Sequence, residues 1–261
     1  MRLYSERLGR RRLFRALMEL GVCSRKEALR RIGDGRVAVD GRVERRALAW
    51  VDLRRCRLSV DAAPVGLDPE RIVLALHKPR GYVTTRTDPG GRATIYELLP
   101  GGHPWVLPVG RLDRDTSGLL ILTNDRRLAE RIRDPSAHVP KTYHARVAGV
   151  PSPEAIGILC RGVTLDRGEE TRPAAARVLG ATREGGAWVE LVLSEGRYRQ
   201  VRRMLAAVGH DVQDLVRVRI GSLDLGHLDV GAVRPLARED IDRLVSRRAV
   251  CSRNAAPSPP G

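Results

Sequence analysis

The amino-acid sequence predicts an α+β protein in which a small helical module precedes a larger domain of strands and short helices. Apolar residues recur at helical spacing between Leu13 and Leu20, and an alternating apolar pattern surrounds the turn pair Asp40-Gly41. A second series of apolar, strand-like runs begins at residues 72–76. With 261 residues, the chain is long enough for a small and a medium-sized domain, each with a buried core.

Two short helices are expected in the N-terminal module. The apolar positions of the first helix are Leu13, Ala16, Leu17 and Leu20. Gly21 is expected to end it. The second helix is predicted to begin at Ser24, because Ser24 and Glu27 form a capping-box sequence that can satisfy the free amides of a helix start. Ala28 and Ile32 continue an apolar face along this helix.

A β-hairpin is predicted after the second helix. Val37, Val39 and Val43 alternate with polar residues around Asp40-Gly41, a pair that favours the positive φ angles of tight hairpin turns. The helices and the hairpin together predict a compact module over residues 1–62.

Three further segments complete the predicted domain organisation. Residues 63–70 contain two prolines and a glycine, which predicts a linker. Strands and short helices then alternate through a second domain at 71–248. The last residues, 249–261, are rich in Pro, Ser and Ala without periodicity, which predicts a disordered tail.

The charge balance implies a polyanionic partner. Lys and Arg number 47 against 31 Asp and Glu, so the formal net charge is +16. Residues 1–62 alone hold 17 basic and 8 acidic side chains, which is over half of the surplus in under a quarter of the chain. Phosphate binding by such a surface is driven by counterion release, so its strength depends on salt.

Several classes of protein are disfavoured. The sequence has no apolar stretch of membrane-spanning length and no apolar signal segment at its N-terminus, so we expect a cytoplasmic protein. Zinc binding and thioredoxin-like chemistry lack support, because no C-x-x-C pair occurs among Cys23, Cys56, Cys160 and Cys251. No Walker loop or G-x-G-x-x-G is present, so we expect neither a metal nor a nucleotide cofactor.

The stretch from Arg12 to Asp61 resembles the S4 RNA-binding domain, through G-V-C-S-R-K-E-A at 21–28 and G-R-V-A-V-D-G at 35–41. This resemblance implies that the second helix and the loop after it face RNA. The implied contacts are Ser24, Arg25, Lys26 and Arg30. Any one of these side chains would equally suit a solvated helix face. A DNA-reading helix-turn-helix would usually lack the hairpin.

A polar loop at residues 110–117 is the strongest candidate for an active site. It places Asp113 and Asp115 just before the apolar strand 119–122, and Gly110 and Gly118 flank it. A carboxylate at a strand mouth, beside glycines that let another backbone approach, suits catalysis. It would equally suit an ordinary turn, and the pattern does not choose between the two carboxylates.

The loop and strand together, G-R-L-D-R-D-T-S-G-L-L-I-L-T, are similar to the catalytic motif of the small-subunit/large-subunit branch of bacterial pseudouridine synthases. The resemblance implies a catalytic domain built on a mostly antiparallel mixed sheet flanked by helices. It assigns the nucleophilic carboxylate to Asp113, which directly follows Arg-Leu. Asp115 falls on a variable position of the motif, which implies a structural or surface role.

Two more stretches support this resemblance. Lys141-Thr142-Tyr143 resembles the family's K-x-Y motif and implies that Tyr143 stacks on the target base, although a Tyr in an alternating strand is usually part of a core. In the stretch Q-V-R-R-M-L at 200–205 the first Arg of V-R-R is Arg202, and the family implies that it forms an ion pair with Asp113. Such a cation would keep a partly buried carboxylate ionised.

The remaining implied RNA contacts lie on loops and strand ends of the second domain. H-K-P-R-G-Y-V at 77–83 and D-P-G-G-R at 88–92 resemble the family's opening strand and its glycine-rich loop. The candidate contacts are Lys78, Thr84, Arg86, Arg92, Arg111, Lys141, Arg199 and Arg203. The resemblance extends over roughly residues 12–245.

The function implied is isomerisation of a specific uridine in ribosomal RNA by a monomeric enzyme without a cofactor. H-K-P-R-G-Y-V-T-T and D-P-x-G-R-x-T favour the large-subunit branch. One alternative is a non-catalytic S4-type RNA-binding or ribosome-assembly protein. A nuclease is a third hypothesis, but it would need clustered carboxylates for metal ions, and no such cluster stands out in the sequence.

Overall fold

The computed structural model describes residues 9–66, 71–101 and 105–245. The chain divides into two compact units, Met1–Ile72 with Gly102–Leu107, and Val73–Gly101 with Pro108–Gly261. The tail predicted at 249–261 lies outside the described residues, as does the part of the predicted linker at 67–70.

The first unit contains two short helices and small antiparallel sheets. In chain order its elements are β1 (Arg10–Arg12), α1 (Leu13–Glu19), α2 (Arg25–Gly33), β2 (Val37–Val39), β3 (Arg42–Val43), β4 (Trp50–Asp52), β5 (Leu58–Val60) and β6 (Ala63–Pro64). β1 pairs with β4, and the second sheet has the order β3-β2-β5-β6. The assignment of the first two residues of the predicted linker is therefore wrong, because Ala63–Pro64 forms a strand that pairs with β5.

Local sequence signals explain these elements. The Ser24 hydroxyl accepts a hydrogen bond from the Glu27 amide at 3.1 Å, which caps α2 as predicted. The Glu27 carboxylate bonds instead to Arg30 and Arg31, which lower its pKa to about 2. The predicted hairpin is confirmed, and both turn residues adopt positive φ. A common apolar core lies beneath, formed by Leu13, Leu17, Ile32, Val37, Leu53 and other buried residues.

The second unit is built on one large mixed sheet. Its elements are β7 (Val73–Lys78), β9 (Ser117–Thr123), α3 (Arg126–Arg133), β10 (Lys141–Ala148), α4 (Pro153–Arg161), β11 (Ala175–Ala181), β12 (Gly186–Leu193), α5 (Gln200–Ala207), β13 (Val212–Ile220), β14 (Leu223–Asp224), β15 (Val233–Pro235) and α6 (Arg238–Leu244). The short strand β8 (Leu107–Pro108) has its first residue in the first unit and its second residue in the second unit.

The strands of this sheet run in the order β11-β12-β10-β13-β9-β7-β15. Neighbours along it are antiparallel except β9 and β13, which run parallel. Helices cover two apolar clusters: α3 and α6 pack over β7 and β9, while α4 and α5 pack over β10 and β12. The predicted mostly antiparallel sheet with flanking helices is confirmed. No helix within the described ranges is long and apolar enough to cross a membrane.

Candidate active site

Lys78 holds the loop that carries Asp113 through hydrogen bonds to its backbone. This lysine ends β7 and is fully buried. Its ammonium group donates hydrogen bonds to the carbonyl oxygens of Asp113 at 3.0 Å, Thr116 at 2.8 Å and Pro79 at 2.9 Å. The prediction that Lys78 contacts RNA is therefore wrong, because the charge is used inside the protein to fix the loop.

The electrostatics of Lys78 follow from its position. Burial lowers the pKa of its ammonium group to about 8, and the negative charges of Asp113 and Asp115 oppose that shift. A buried cation is costly unless it is hydrogen-bonded. Four carbonyl oxygens and two nearby carboxylates supply that compensation, so the loop and Lys78 stabilise each other.

Thr84 fixes the same loop on its other side. Its hydroxyl donates to the carbonyl oxygen of Leu112 at 2.7 Å, and the amide of Leu112 lies 3.2 Å from the same hydroxyl. Thr84 is buried. It was a candidate RNA contact, and this too is wrong, since its hydroxyl is already bonded to the backbone next to Asp113.

Gly118 lets the loop pass close to a neighbouring strand. Its φ is +109°, a conformation that L side chains rarely adopt. A Cβ atom at this position would lie within 3.0 Å of the backbone O, N and C atoms of Arg217 on β13. The close backbone approach predicted for this glycine is confirmed, and it brings Asp113 next to the middle of the sheet.

Two carboxylates and two arginines form a cluster at the loop. Arg199 lies 3.1 Å from Asp115 and 3.8 Å from Asp113. Arg202 lies 3.3 Å from the Asp115 carboxylate and donates to the Asp115 carbonyl at 3.0 Å. The predicted pair between Arg202 and Asp113 is not among the ion pairs of the described residues.

The backbone explains this difference. A second hydrogen bond, from Arg202 to the carbonyl of Val212 at 2.9 Å, holds the guanidinium beside Asp115. Arg199, for which we predicted a phosphate contact, is the arginine that approaches Asp113. It is also the N-cap residue of α5, with a φ of +48°, so its side chain leaves the helix start toward the loop.

The ion pair between Asp115 and Arg199 shifts the pKa values of both groups toward their charged forms. Burial raises the pKa of Asp115, but hydrogen bonds from Arg199 and the charge of Arg202 outweigh it and lower the pKa below the usual value. The hydrogen bond to Asp115 raises the pKa of Arg199. Asp115 forms ion pairs with both arginines, and of the two it is Arg199 that also approaches Asp113.

Tyr143 lies on β10, at the centre of the sheet. It is half-buried and packs against the apolar cluster beneath α5. The strand register places it directly opposite Arg217 on β13. Tyr143 also lines the cavity that contains Asp113. The two alternatives for this residue are therefore compatible: one part of the ring packs on the core and another faces the cavity.

The cavity has a volume of about 530 Å³, which suits a small-molecule-sized group such as a nucleoside. Among the predicted site residues it brings together Arg111, Asp113, Lys141, Tyr143 and Arg199. Arg202 and Arg203 are not part of its lining. No group of three or more potential metal-ligating side chains occurs among the residues that the structure describes.

Three other predicted RNA contacts have acidic or aromatic partners. Arg203 forms ion pairs with Asp166 and with Glu169 at 2.8 Å, and little of its side chain is exposed. The phosphate contact expected of Arg203 stays a prediction, and in this arrangement its guanidinium already pairs with two carboxylates. Arg92 pairs with Asp88 at 2.6 Å, and Arg86 lies 4.8 Å above the Tyr96 ring. Both of these arginines remain exposed.

The predicted contacts of the first unit differ in their availability. Ser24 caps α2, so its hydroxyl is engaged. Arg30 pairs with Glu27 and with Asp34 at 3.4 Å. Arg25 is exposed and lies 5.4 Å from the Phe14 ring, and Lys26 is exposed on the next position of the helix. Arg25 and Lys26 are thus the two that present their charge to solvent most openly.

Sequence reasoning missed Arg217. The stretch V-R-V-R-I at 216–220 alternates apolar and basic residues, which predicts arginines on a solvated face. The structure instead buries Arg217 to 4% exposure on the cavity side of β13. No local signal distinguishes it from Arg219. The difference depends on which neighbours β13 acquires in the sheet.

Comparison with known proteins agrees with this fold. A family model described as RNA pseudouridylate synthase matches residues 72–207. An uncharacterized RNA pseudouridine synthase of Mycobacterium tuberculosis is 43% identical over 237 residues, covering 89% of this chain and 92% of the relative. The ribosomal large subunit pseudouridine synthase B of Bacillus subtilis is 36% identical over 89% of this chain and 95% of its own length.

A solved structure described as a pseudouridylate synthase superposes with a TM-score of 0.64 at 30% identity, covering 89% of this chain and 99% of the other. These similarities show that the chain is an isomerase that modifies RNA. The chain belongs to the RNA pseudouridine synthases, in the branch that contains the bacterial ribosomal enzymes.

Proposed function

We propose that this enzyme isomerises a uridine in large-subunit ribosomal RNA, with Asp113 as its nucleophile. The observation that carries the assignment is the cavity itself, in which the Asp113 carboxylate, the Tyr143 ring and several cations face one another. Two relatives named as ribosomal large subunit pseudouridine synthase B, from Bacillus subtilis and Yersinia pestis, favour the large subunit.

The proposed reaction needs no oxidant or energy source. The bond between N1 of uracil and C1′ of ribose breaks, the base turns, and C5 forms the new bond to C1′. C5 loses its proton and N1 gains one, so the atoms balance. Asp113 would assist either by attacking C1′ or by removing a ribose proton. The Arg199 guanidinium lies 3.8 Å from the Asp113 carboxylate and would hold it in position.

The other parts of the molecule support RNA binding in this proposal. A uridine must leave its base stack to enter the cavity, which costs a few kcal/mol. We propose that the first unit acts as an S4-type module that holds the RNA, with Arg25 and Lys26 as its main phosphate contacts. We further propose that the enzyme acts as a monomer, and that it acts in the cytoplasm, in line with ribosomal RNA as the proposed substrate.

Tritium release tests this proposal directly. Large- and small-subunit ribosomal RNA transcripts labelled with [5-³H]uridine are incubated with the purified protein, and released tritium is counted. We expect release from the large-subunit transcript, none with Asp113→Asn, and residual release with the control Asp115→Asn. Release from only the small-subunit transcript would overturn the proposed subunit, and full activity of Asp113→Asn would overturn the proposed nucleophile.

A further inference from the structure

Arg217 is a buried cation with an unused donor. It is 4% exposed, and its Nε atom donates to the carbonyl oxygen of Leu119 at 2.8 Å. Its Nη2 atom is buried and has no hydrogen-bond partner. Leaving a buried charged donor unsatisfied is costly. Since Arg217 lines the cavity, a ligand in the cavity could provide the missing acceptor.

A second cation faces the same space. The ammonium group of Lys141 donates to the carbonyl oxygen of Ile132 at 3.2 Å, which leaves other donors of the group available. Burial lowers the pKa of Lys141 to about 8, and the positive charge of Arg217 contributes to that shift. The two positive charges therefore interact electrostatically, and both side chains line the same cavity.

The strand register fixes how these cations sit around Tyr143. Lys141 precedes Tyr143 by two residues on β10, so both side chains leave the same face of the sheet. Arg217 is directly opposite Tyr143 on β13 and also belongs to that face. A base stacked on the Tyr143 ring would thus present its edges to Lys141 on one side and to Arg217 on another.

Building on the proposed function, we propose that Lys141 and Arg217 donate hydrogen bonds to the carbonyl oxygens of the target uracil, and that they select uracil and stabilise it once it has left the ribose. Uracil offers two acceptors, O2 and O4. Cytosine carries an amino group at position 4, and this group would oppose a cationic donor. A buried pair of donors discriminates strongly against a base that cannot accept both hydrogen bonds.

The same contacts would accelerate the reaction. When the N1–C1′ bond breaks, its electron pair stays on the base, and the charge spreads to O2 and O4. Donors fixed beside these oxygens bind the detached base more strongly than the intact nucleotide. Interactions that strengthen in this way raise the rate of the chemical step and hardly change RNA affinity.

Single-turnover tritium release, measured beside RNA affinity, tests the proposal. For Lys141→Met we expect a rate about 100-fold lower, which is the usual loss for one fixed donor, with RNA affinity within about twofold of wild type. Lys141→Arg should restore most of the rate. Arg183→Met, an exposed position in the turn between β11 and β12, serves as the control and should match wild type.

The pH dependence gives a second readout. The proposal requires protonated Lys141, so the wild-type rate should fall above about pH 8, and this fall should move to higher pH in Lys141→Arg. The other titratable or charged groups that line the cavity are Arg111, Asp113, Arg133, Tyr143, Glu195, Arg197, Tyr198, Arg199 and Arg217. An unchanged fall in Lys141→Arg would assign it to one of these groups and overturn the role of Lys141.

One further result would overturn the proposal. If Lys141→Met and Arg217→Met weaken RNA binding and its salt dependence without lowering the saturating rate, the pair contacts phosphate instead. Thermal melting separates a folding defect of Arg217→Met from a loss of function, and Lys141→Met tests the proposal independently because Lys141 is only half-buried. Absence of tritium release from wild type would instead refute the proposed function.

Discussion

At the scale of single residues, the cations of this enzyme divide into three groups according to what their charged ends face. Lys78 and Arg203 contact oxygen atoms of the protein itself. Arg111 and Lys141 face the cavity, and Arg25 and Lys26 face solvent. In a chain with a net charge of +16, the residue type alone therefore says little about which arginine or lysine meets RNA.

Lys78→Met should destabilise the protein. The methionine fills the space but leaves the carbonyl oxygens of Pro79, Asp113 and Thr116 without their charged donor. We therefore expect a loss of about 2–4 kcal/mol in the free energy of unfolding. Urea denaturation measures this loss. Lys26→Met, the same substitution on an exposed helix position, should change stability by less than about 0.5 kcal/mol. Wild-type stability of Lys78→Met combined with weaker RNA binding would restore the RNA-contact interpretation.

Residue partners were the least predictable part of the site. The motif identified Asp113, Tyr143 and Arg202, and the structure places the first two in one cavity. The motif did not reveal that Arg202 pairs with Asp115. That pairing depends on a hydrogen bond from Arg202 to a carbonyl oxygen at the start of β13. Arg217 was missed for a similar reason, since strand alternation treats it and Arg219 alike.

At the scale of elements, the site depends on the close pairing of the first residues of β9 with β13. The parallel pairing aligns Gly118 with Arg217, directly after the Asp113 loop. The sequence predicted the loop, the strand and the need for a close backbone approach. It could not predict which strand makes that approach, because hydrogen-bonded neighbours in a sheet are set by the topology of the whole domain.

Gly118→Ala should disrupt this pairing of β9 with β13. A left-handed conformation costs an L residue about 1–2 kcal/mol, and at Gly118 the added methyl group would also overlap the Arg217 backbone. Gly168→Ala is a matched control, because Gly168 has a φ of +79° with nothing within 4 Å of an added Cβ. We expect the Gly118 variant to lose more stability and most of its activity in urea denaturation and tritium-release assays. Equal losses in both variants would contradict the packing explanation.

At the scale of the whole molecule, the fold class was predictable because long motifs and regular patterns agree with each other. The helix cap at Ser24, the Asp40-Gly41 hairpin and the mixed sheet all appear where the sequence indicated them. The predicted boundary after residue 62 was less accurate, since Pro64 still pairs in a sheet of the first unit. Prolines mark turns reliably, but an edge strand also accepts them.

The proposed RNA-binding role of the first unit predicts a defined salt response. Each phosphate contact contributes about 0.7–0.9 to the slope of log affinity against log salt concentration. Replacing Arg25 and Lys26 together by Gln should lower the slope by about 1.5. Arg46→Gln is the control, since Arg46 lies on the same unit but pairs with Glu44 at 2.8 Å. An unchanged slope in the double variant would remove these two side chains from the RNA interface.

The measurement that tests the central claim most directly is carbodiimide mapping of pseudouridine across the ribosomal RNA of the parent organism. Cells lacking the protein would be compared with cells that express wild type or Asp113→Asn. We predict that one large-subunit pseudouridine disappears, returns with wild type and stays absent with Asp113→Asn. An unchanged set of ribosomal pseudouridines in the deletion strain would contradict the proposed substrate, and rescue by Asp113→Asn would contradict the proposed chemistry.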